Sequence, residues 1–432
     1  MSGLALVARA LGAEVSGSDS TDTPYLDRLR ATGLEPALGY DAANLPDGAE
    51  MVVSTAISAD NPELAAARVA GAAVLHRTEL LSAVSRLKRS IAVSGTHGKT
   101  TTCAMLAHAL LACGRDPAYL IGGQLRSTGA NAAWGAGEWV VVEADESDRS
   151  FLRLQPDVAV VTNVELDHHA NYRSLSELEE AFAGFTSEAD VRILGEGVHL
   201  AGSGELITFG VGEGDLRAEG LELQPMGSRF EVEGVPVQLN VPGRHNVSNA
   251  LAALAACRAA GVDPVEAAPP LATFAGTGRR FEARGRAPSG ARIFDDYAHH
   301  PTEVRATLEA ARTLGAARVV ACFQPHLFSR TRELARDFGR ALALADVVVV
   351  LDVYRARERP EDYPGVSGLL VATATADAAG GRPVWWLPSM DQAERMLRQE
   401  LREGDVLLTL GAGDVDRLAA RMAVPEPAGD SA

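Results

Sequence analysis

The segment Ser90-Ile-Ala-Val-Ser-Gly-Thr-His-Gly-Lys-Thr-Thr-Thr constrains the fold more than any other stretch of the chain. An apolar strand runs into a loop bracketed by Gly95 and Gly98, and a helical pattern over 100–112 follows at once. The backbone N–H groups of such a loop, with the helix N-terminus behind them, cradle phosphate. Lys99 then places a cation on the terminal phosphates, and the Thr100 hydroxyl is suited to ligate Mg²⁺. The spacing is shorter than the common G-x-x-x-x-G-K-[ST] pattern, because the position five before Gly98 is Val93. A strand, phosphate loop and helix in that order imply a parallel α/β sheet.

Composition sharpens the reading of Lys99. Of the 40 basic residues only Lys88 and Lys99 are lysine, so arginine serves wherever a generic cation suffices. One retained lysine falls where phosphate chemistry calls for it. The other, in Arg86-Leu-Lys-Arg, reads as a solvated surface charge.

Downstream, an apolar strand ends in Glu143, Asp145, Glu146 and Asp148, and a second strand over 158–162 leads to Glu165, Asp167, His168 and His169. Either cluster alone fits a solvated acidic loop. Beside a phosphate loop, carboxylates at neighbouring strand ends fit a Mg²⁺–ATP site, where hard oxygen ligands balance phosphate charge. A net charge of -17 argues against nucleic acid or anionic membrane as partners. No apolar run approaches the ~18–20 residues of a membrane span. The four cysteines form no C-x-x-C pair, which fits buried thiols in a reducing cytoplasm.

The periodicity divides the chain into three consecutive α/β domains. Residues 1–87 alternate helical patterns (4–11, 24–31, 62–70) with short strands (14–18, 51–54, 73–76). They read as a Rossmann-like domain, N-terminally truncated, since the first strand and glycine-rich turn of such a fold are not seen before the first helix. Asp19 follows a strand where dinucleotide-type folds carry an acid for a ribose hydroxyl, and a turn aspartate fits equally. Residues 88–276 read as a P-loop ATPase-like domain with an antiparallel edge over 195–242 and a helix over 247–260. Residues 277–432 read as a second Rossmann-like domain, with strands over 293–295, 318–323, 346–351 and 406–410.

Seven ordered motifs spanning nearly the whole chain carry a family resemblance. They are Gly95-Thr-His-Gly-Lys-Thr-Thr-Thr, Glu143-Ala-Asp-Glu-Ser-Asp, Thr162-Asn with Asp167-His168, Gly243-Arg-His-Asn-Val-Ser-Asn, Gly276-Thr-Gly-Arg-Arg-Phe, Asp295-Asp-Tyr-Ala-His-His-Pro-Thr-Glu and Phe323-Gln-Pro-His. With these the chain resembles the Mur ligases of bacterial peptidoglycan synthesis, and most of all their alanine-adding branch. The resemblance implies a cytoplasmic enzyme, monomer or weak homodimer, that uses ATP and Mg²⁺ to join L-alanine to UDP-N-acetylmuramate through an acyl phosphate.

Residue by residue, the resemblance gives Gly95, Thr96, His97, Gly98, Lys99, Thr100 and Thr101 to ATP, and Thr100, Glu143 and His168 to metal. His245, Asn246 and Asn249 match a nucleotide-side motif, with a helix N-cap at Asn246 compatible. Arg280 and Asp296 match positions that reach the phosphates and brace the closed site, and Tyr297, His299 and Arg330 match positions around the incoming alanine. Asp19 would serve the UDP-sugar.

Three departures accompany it: the first strand is not seen, Leu327 stands where the family often has arginine, and no lysine after Lys99 could be carbamylated, leaving His168 as the substitute. A murein-tripeptide recycling ligase shares the phosphate loop but fits Ser147-Asp148 and Leu154-Gln-Pro less well. A truncated nucleotide-binding remnant is the non-enzymatic alternative. Groups on different domains imply a site that closes on its ligands, and hence an open ligand-free form.

Overall fold

A central eight-stranded sheet organises the computed structural model, which describes residues 1–167 and 171–424. Its strand order is Leu216–Arg217, Glu205–Gly210, Val191–Gly195, Val158–Val161, Arg89–Ser94, Trp139–Glu143, Ala118–Leu125 and Ala130–Ala133. All neighbours pair in parallel except the last two. Ile91 and Val93 face one core cluster while Ala92 faces the other, which is why these strands read as unbroken apolar runs. Helices Lys99–Ala112 and Arg244–Ala259 cover the first face. The other face is covered by Leu175–Thr186 and by Ser2–Ala10 of the first domain, whose Leu4 and Val7 belong to the same core cluster as Val140 and Phe182.

The antiparallel expectation over 195–242 holds only in part. Glu205–Gly210 and Leu216–Arg217 extend the parallel sheet, with Ile207, Phe209 and Leu216 in its core. Only Glu219–Gln224, Gly227–Val232 and Val235–Leu239 are antiparallel, and they form a separate three-stranded sheet. Glycine-punctuated short strands look alike in either setting, so periodicity could not separate them.

In the first domain two parallel pairs stand apart, Ser18–Asp19 with Ala37–Leu38 and Met51–Val53 with Val74–His76. The strand expected over 14–18 is confined to Ser18–Asp19. Glu63, on the helix Pro62–Val69, ties this region together by accepting from Ser18 Oγ at 2.6 Å and Asn44 Nδ2 at 2.7 Å. Lys88 is not the solvated charge its neighbours suggested: its ammonium donates to the carbonyls of Gly135 and Gly137 and lies 5.1 Å from the Trp134 ring centre. It pins the loop between two strands of the central sheet.

The C-terminal domain is a six-stranded sheet in the order Glu282–Arg286, Arg292–Asp296, Val406–Leu410, Val319–Phe323, Val347–Val350 and Val384–Trp386. Only its first pair is antiparallel. The carboxyl ends of Arg292–Asp296 and Val319–Phe323 lead into loops that meet those following Arg89–Ser94 and Val158–Val161 of the central sheet. The carboxyl ends of parallel strands are where ligands bind in open α/β sheets.

Candidate active site

The phosphate loop is set by two close approaches. Gly95 has φ +126°, and a Cβ there would fall 2.1 Å from Thr162 Oγ1. Gly98, the N-cap of the helix Lys99–Ala112, has φ +84°, and a Cβ there would fall 2.3 Å from Asn249 Oδ1. Only glycine fits both positions. Thr96 Oγ1 donates to the carbonyl of Glu165 at 2.9 Å, and His97 N donates to Asn163 Oδ1 at 2.9 Å. Thr101 is buried in the first turn of the helix.

Lys99 Nζ donates to the carbonyls of Gly95 at 2.6 Å and Thr96 at 3.2 Å, and pairs with the fully buried Glu146 at 2.7 Å. Burial works against its charge, but Glu146, Asp145 and Glu143 more than restore it and raise its pKa. Thr100 Oγ1 donates to Glu143 Oε1 at 3.0 Å, and Glu143 Oε2 accepts from Gly122 N at 2.8 Å. A hydroxyl and a carboxylate at the loop are hard oxygen donors of the kind Mg²⁺ takes, so the residues fit that ion. His168 lies outside the described residues.

Asn246 is not the helix N-cap; that position is Gly243. Its Nδ2 donates to the carbonyl of Pro242 at 2.7 Å and its Oδ1 accepts from Asn249 Nδ2 at 3.2 Å, while Asn249 Oδ1 accepts from Thr102 Oγ1 at 3.3 Å. The two buried amides therefore brace the phosphate loop from behind. Burial, and then the Arg280 guanidinium, push the His245 imidazole down to about 4, so it is neutral. Nearby, Arg280 lines a cavity of about 320 Å³ with Arg126, Asn240, Phe274 and Phe281, within the range of small-molecule sites.

On the C-terminal side, Arg280 lies 5.3 Å from the Tyr297 ring centre and 3.6 Å from Glu303. Asp296 accepts from Phe281 N and Ala298 N, each at 2.7 Å, and so fixes the turn that carries Arg280. Burial raises its carboxyl to about 6 despite Arg280. Burial pushes His299 down to about 3, and its Nδ1 lies 3.0 Å from the carbonyl of Tyr297. Asp19 accepts from Thr21 N at 3.1 Å, as a turn aspartate does.

Two residues at the centre of this interface were given no role from the sequence. Glu303 lies 3.4 Å from His97 Nδ1 and 3.2 Å from His299 Nδ1, and completes a capping box with His300 on the helix Pro301–Arg312. Although burial opposes ionisation, His299, His97 and Arg280 hold its carboxyl well below the usual range. Its signal in the sequence was the His-Pro-Thr-Glu capping box itself. Asp167, named there only within a cluster, receives the Arg330 fork, Nε to Oδ1 and Nη2 to Oδ2, both at 3.0 Å. The Arg330 fork thus faces a protein carboxylate. These contacts, with Thr302 on Glu165, join the central and C-terminal domains.

The fold and the site define an α/β protein whose glycine-bracketed loop, of the kind that cradles phosphate, faces side chains of a second domain. Three family models match in order along it: the Mur ligase family catalytic domain over residues 1–89, the Mur ligase middle domain over 93–257, and the Mur ligase glutamate ligase domain over 279–413. A UDP-N-acetylmuramate–L-alanine ligase of Rubrobacter xylanophilus is 45% identical, covering 96% of this chain and 95% of that protein. The solved UDP-N-acetylmuramate-alanine ligase MurC of Thermotoga maritima is 30% identical with a TM-score of 0.84, covering 98% of this chain and 95% of that one. A solved murein peptide ligase of Psychrobacter arcticus reaches 24% and 0.72, covering 98% and 95%. The chain belongs to the Mur ligase family.

Proposed function

We propose that this chain joins L-alanine to the carboxylate of UDP-N-acetylmuramate with ATP, giving UDP-N-acetylmuramoyl-L-alanine, ADP and phosphate. The observation that carries the reading is the full-length match: 45% identity to an L-alanine ligase takes in the phosphate loop and the facing C-terminal loops together. A carboxylate is a poor electrophile. Attack of its oxygen on the γ-phosphorus expels ADP and gives an acyl phosphate, and attack of the alanine nitrogen on that carbonyl then expels phosphate.

Most of what the protein contributes is placement and charge. Lys99, held at the loop, moves from Glu146 to the γ-phosphate as that group enters. Thr100 and Glu143 would hold Mg²⁺, which when bound neutralises phosphate charge; His168 is the third proposed ligand. Arg280 reaches the phosphates from the opposite domain, fixed by Asp296. Asn246 and Asn249 hold the loop to which ATP binds, beside the neutral His245. Tyr297, His299 and Arg330 surround the alanine. The acidic surface and the nucleotide substrates suit the cytoplasm, and no described helix is long and apolar enough to cross a membrane.

The test is phosphate release from Mg-ATP in the presence of UDP-N-acetylmuramate, with L-alanine, with L-alanyl-γ-D-glutamyl-diaminopimelate, or with neither. Release that depends on alanine supports the proposal. Release only with the tripeptide assigns the recycling reaction instead, and ATP binding with no release in any arm leaves a nucleotide-binding protein.

A further inference from the structure

The phosphate-loop histidine points its ring away from the helix that follows it and into the seam with the C-terminal domain. There His97 Nε2 lies 3.1 Å from Glu165 Oε2, and His300 Nδ1 lies 3.9 Å from the same oxygen. The three ligand atoms all sit within 4.8 Å of one another, and this is the one such group among the described residues. We propose that His97 and Glu165 of the central domain and His300 of the C-terminal domain form a site for a first-row transition-metal ion of the zinc or cobalt type, separate from the Mg²⁺ position at Thr100 and Glu143, and that an ion there bolts the two domains together.

The geometry is close to what such an ion needs. Metal–ligand distances of ~2.0–2.1 Å at a tetrahedral centre separate neighbouring ligand atoms by roughly 3.3 Å. The separations of 3.1 and 3.9 Å to Glu165 bracket that value. The supporting contacts are also in place. His97 presents its other nitrogen to the Glu303 carboxylate at 3.4 Å, and Thr302 Oγ1 donates to Glu165 at 2.7 Å. A carboxylate behind a ligating imidazole fixes its orientation and raises its basicity.

His300 supplies an independent observation. It is only 2% exposed; its Nδ1 accepts from Thr302 N at 3.4 Å, and its Nε2 has no hydrogen-bond partner, a buried polar atom whose cost a ligand on that nitrogen would offset. Two imidazoles and one carboxylate select against Mg²⁺, which takes octahedral oxygen, and for Zn²⁺ or Co²⁺. Because one ligand comes from the opposite domain, an ion in the site opposes the opening that exchanges substrates. That last consequence rests on the proposed function; the site itself does not.

The experiment is titration of the full, ligand-free chain with Co²⁺, without ATP, following the visible ligand-field absorption of low-coordinate cobalt. One ion per chain is expected, with affinity at least tenfold weaker in Glu165→Gln and His300→Asn and unchanged in Glu143→Gln. Asparagine keeps a helix-capping acceptor at position 300; should that variant not fold by circular dichroism, Glu165→Gln decides alone. Absence of the band, equal affinity in Glu165→Gln, or loss of the band in Glu143→Gln would overturn the proposal. In the ligation assay Zn²⁺ is expected to slow alanine-dependent phosphate release by the parent and not by Glu165→Gln. Cobalt binding by a chain that ligates nothing would leave the site standing and the ligase reading fallen.

Discussion

Replacing Arg330 by methionine should open the molecule along the seam between its central and C-terminal domains. Arg330 and Asp167 are each about 4% exposed and share two hydrogen bonds of 3.0 Å, so neither charge has water to fall back on. Removing the guanidinium takes the bidentate partner from a buried carboxylate, at a cost of ~3–5 kcal/mol. The two partners belong to different domains, so the cost falls on the closed arrangement before it falls on either core. At ~1.4 kcal/mol per tenfold, the closed population should drop by roughly two to three and a half powers of ten relative to open forms. Hydrogen exchange followed by mass spectrometry, on peptides covering 163–167 and 326–333, should show the loss directly. The double variant Arg330→Met with Asp167→Asn removes the buried negative charge as well and should recover most of the protection. Unchanged exchange in the single variant, or no recovery in the double, would refute the claim that this pair holds the seam.

Three further outcomes follow from the site. Lys99→Met should abolish phosphate release and lower the melting temperature as well, because Glu146 at 0% exposure loses its 2.7 Å partner; a variant with full turnover would remove Lys99 from the chemistry. Asn249→Ala should raise the apparent KM for ATP several-fold at a stability cost of ~1 kcal/mol, since the amide braces the phosphate loop through Thr102; an effect on alanine alone would place it elsewhere. Against burial, hydrogen bonds to Glu165 and Glu303 raise the His97 pKa to about 9, above the ordinary 6.5, so its contribution to stability is complete below pH 6.5 and is lost as pH rises to 9. Melting curves across that range should fall more steeply for the parent than for His97→Gln, and parallel slopes would count against the shift.

What the sequence made legible was local. The phosphate loop could be read because strand, glycines, lysine and helix are contiguous, and the Glu143–Thr100 pair because Glu143 ends the strand next to the one that feeds the loop before Thr100. Glu303 could not be read as the centre of the interface, since its partners His97 and Arg280 arrive from distant segments and only its capping box is local. The Arg330–Asp167 pair spans 163 positions, and burial rather than motif makes it strong. Asn246 was open to two roles because a polar residue near a helix start fits a cap; the backbone instead uses Gly243, with φ +99°, and frees the amide to reach Pro242. Lys88 looked solvated because its sequence neighbours are charged, while its acceptors, Gly135 and Gly137, lie almost fifty positions away.

The scarcity of lysine makes the molecule its own reporter. Its side chains offer an amine-directed reagent two targets, and both nitrogens are engaged: Lys88 by two carbonyls beneath Trp134, Lys99 by the phosphate loop and Glu146. Guanidinium groups, which make up the rest of the cationic surface, do not compete for acylation. The mass added at position 99 therefore measures how often that amine comes loose, and a nucleotide bound over it should protect it. Occupancy of the phosphate site could be followed by mass alone, without coupling enzymes, labelled nucleotide or an engineered tag.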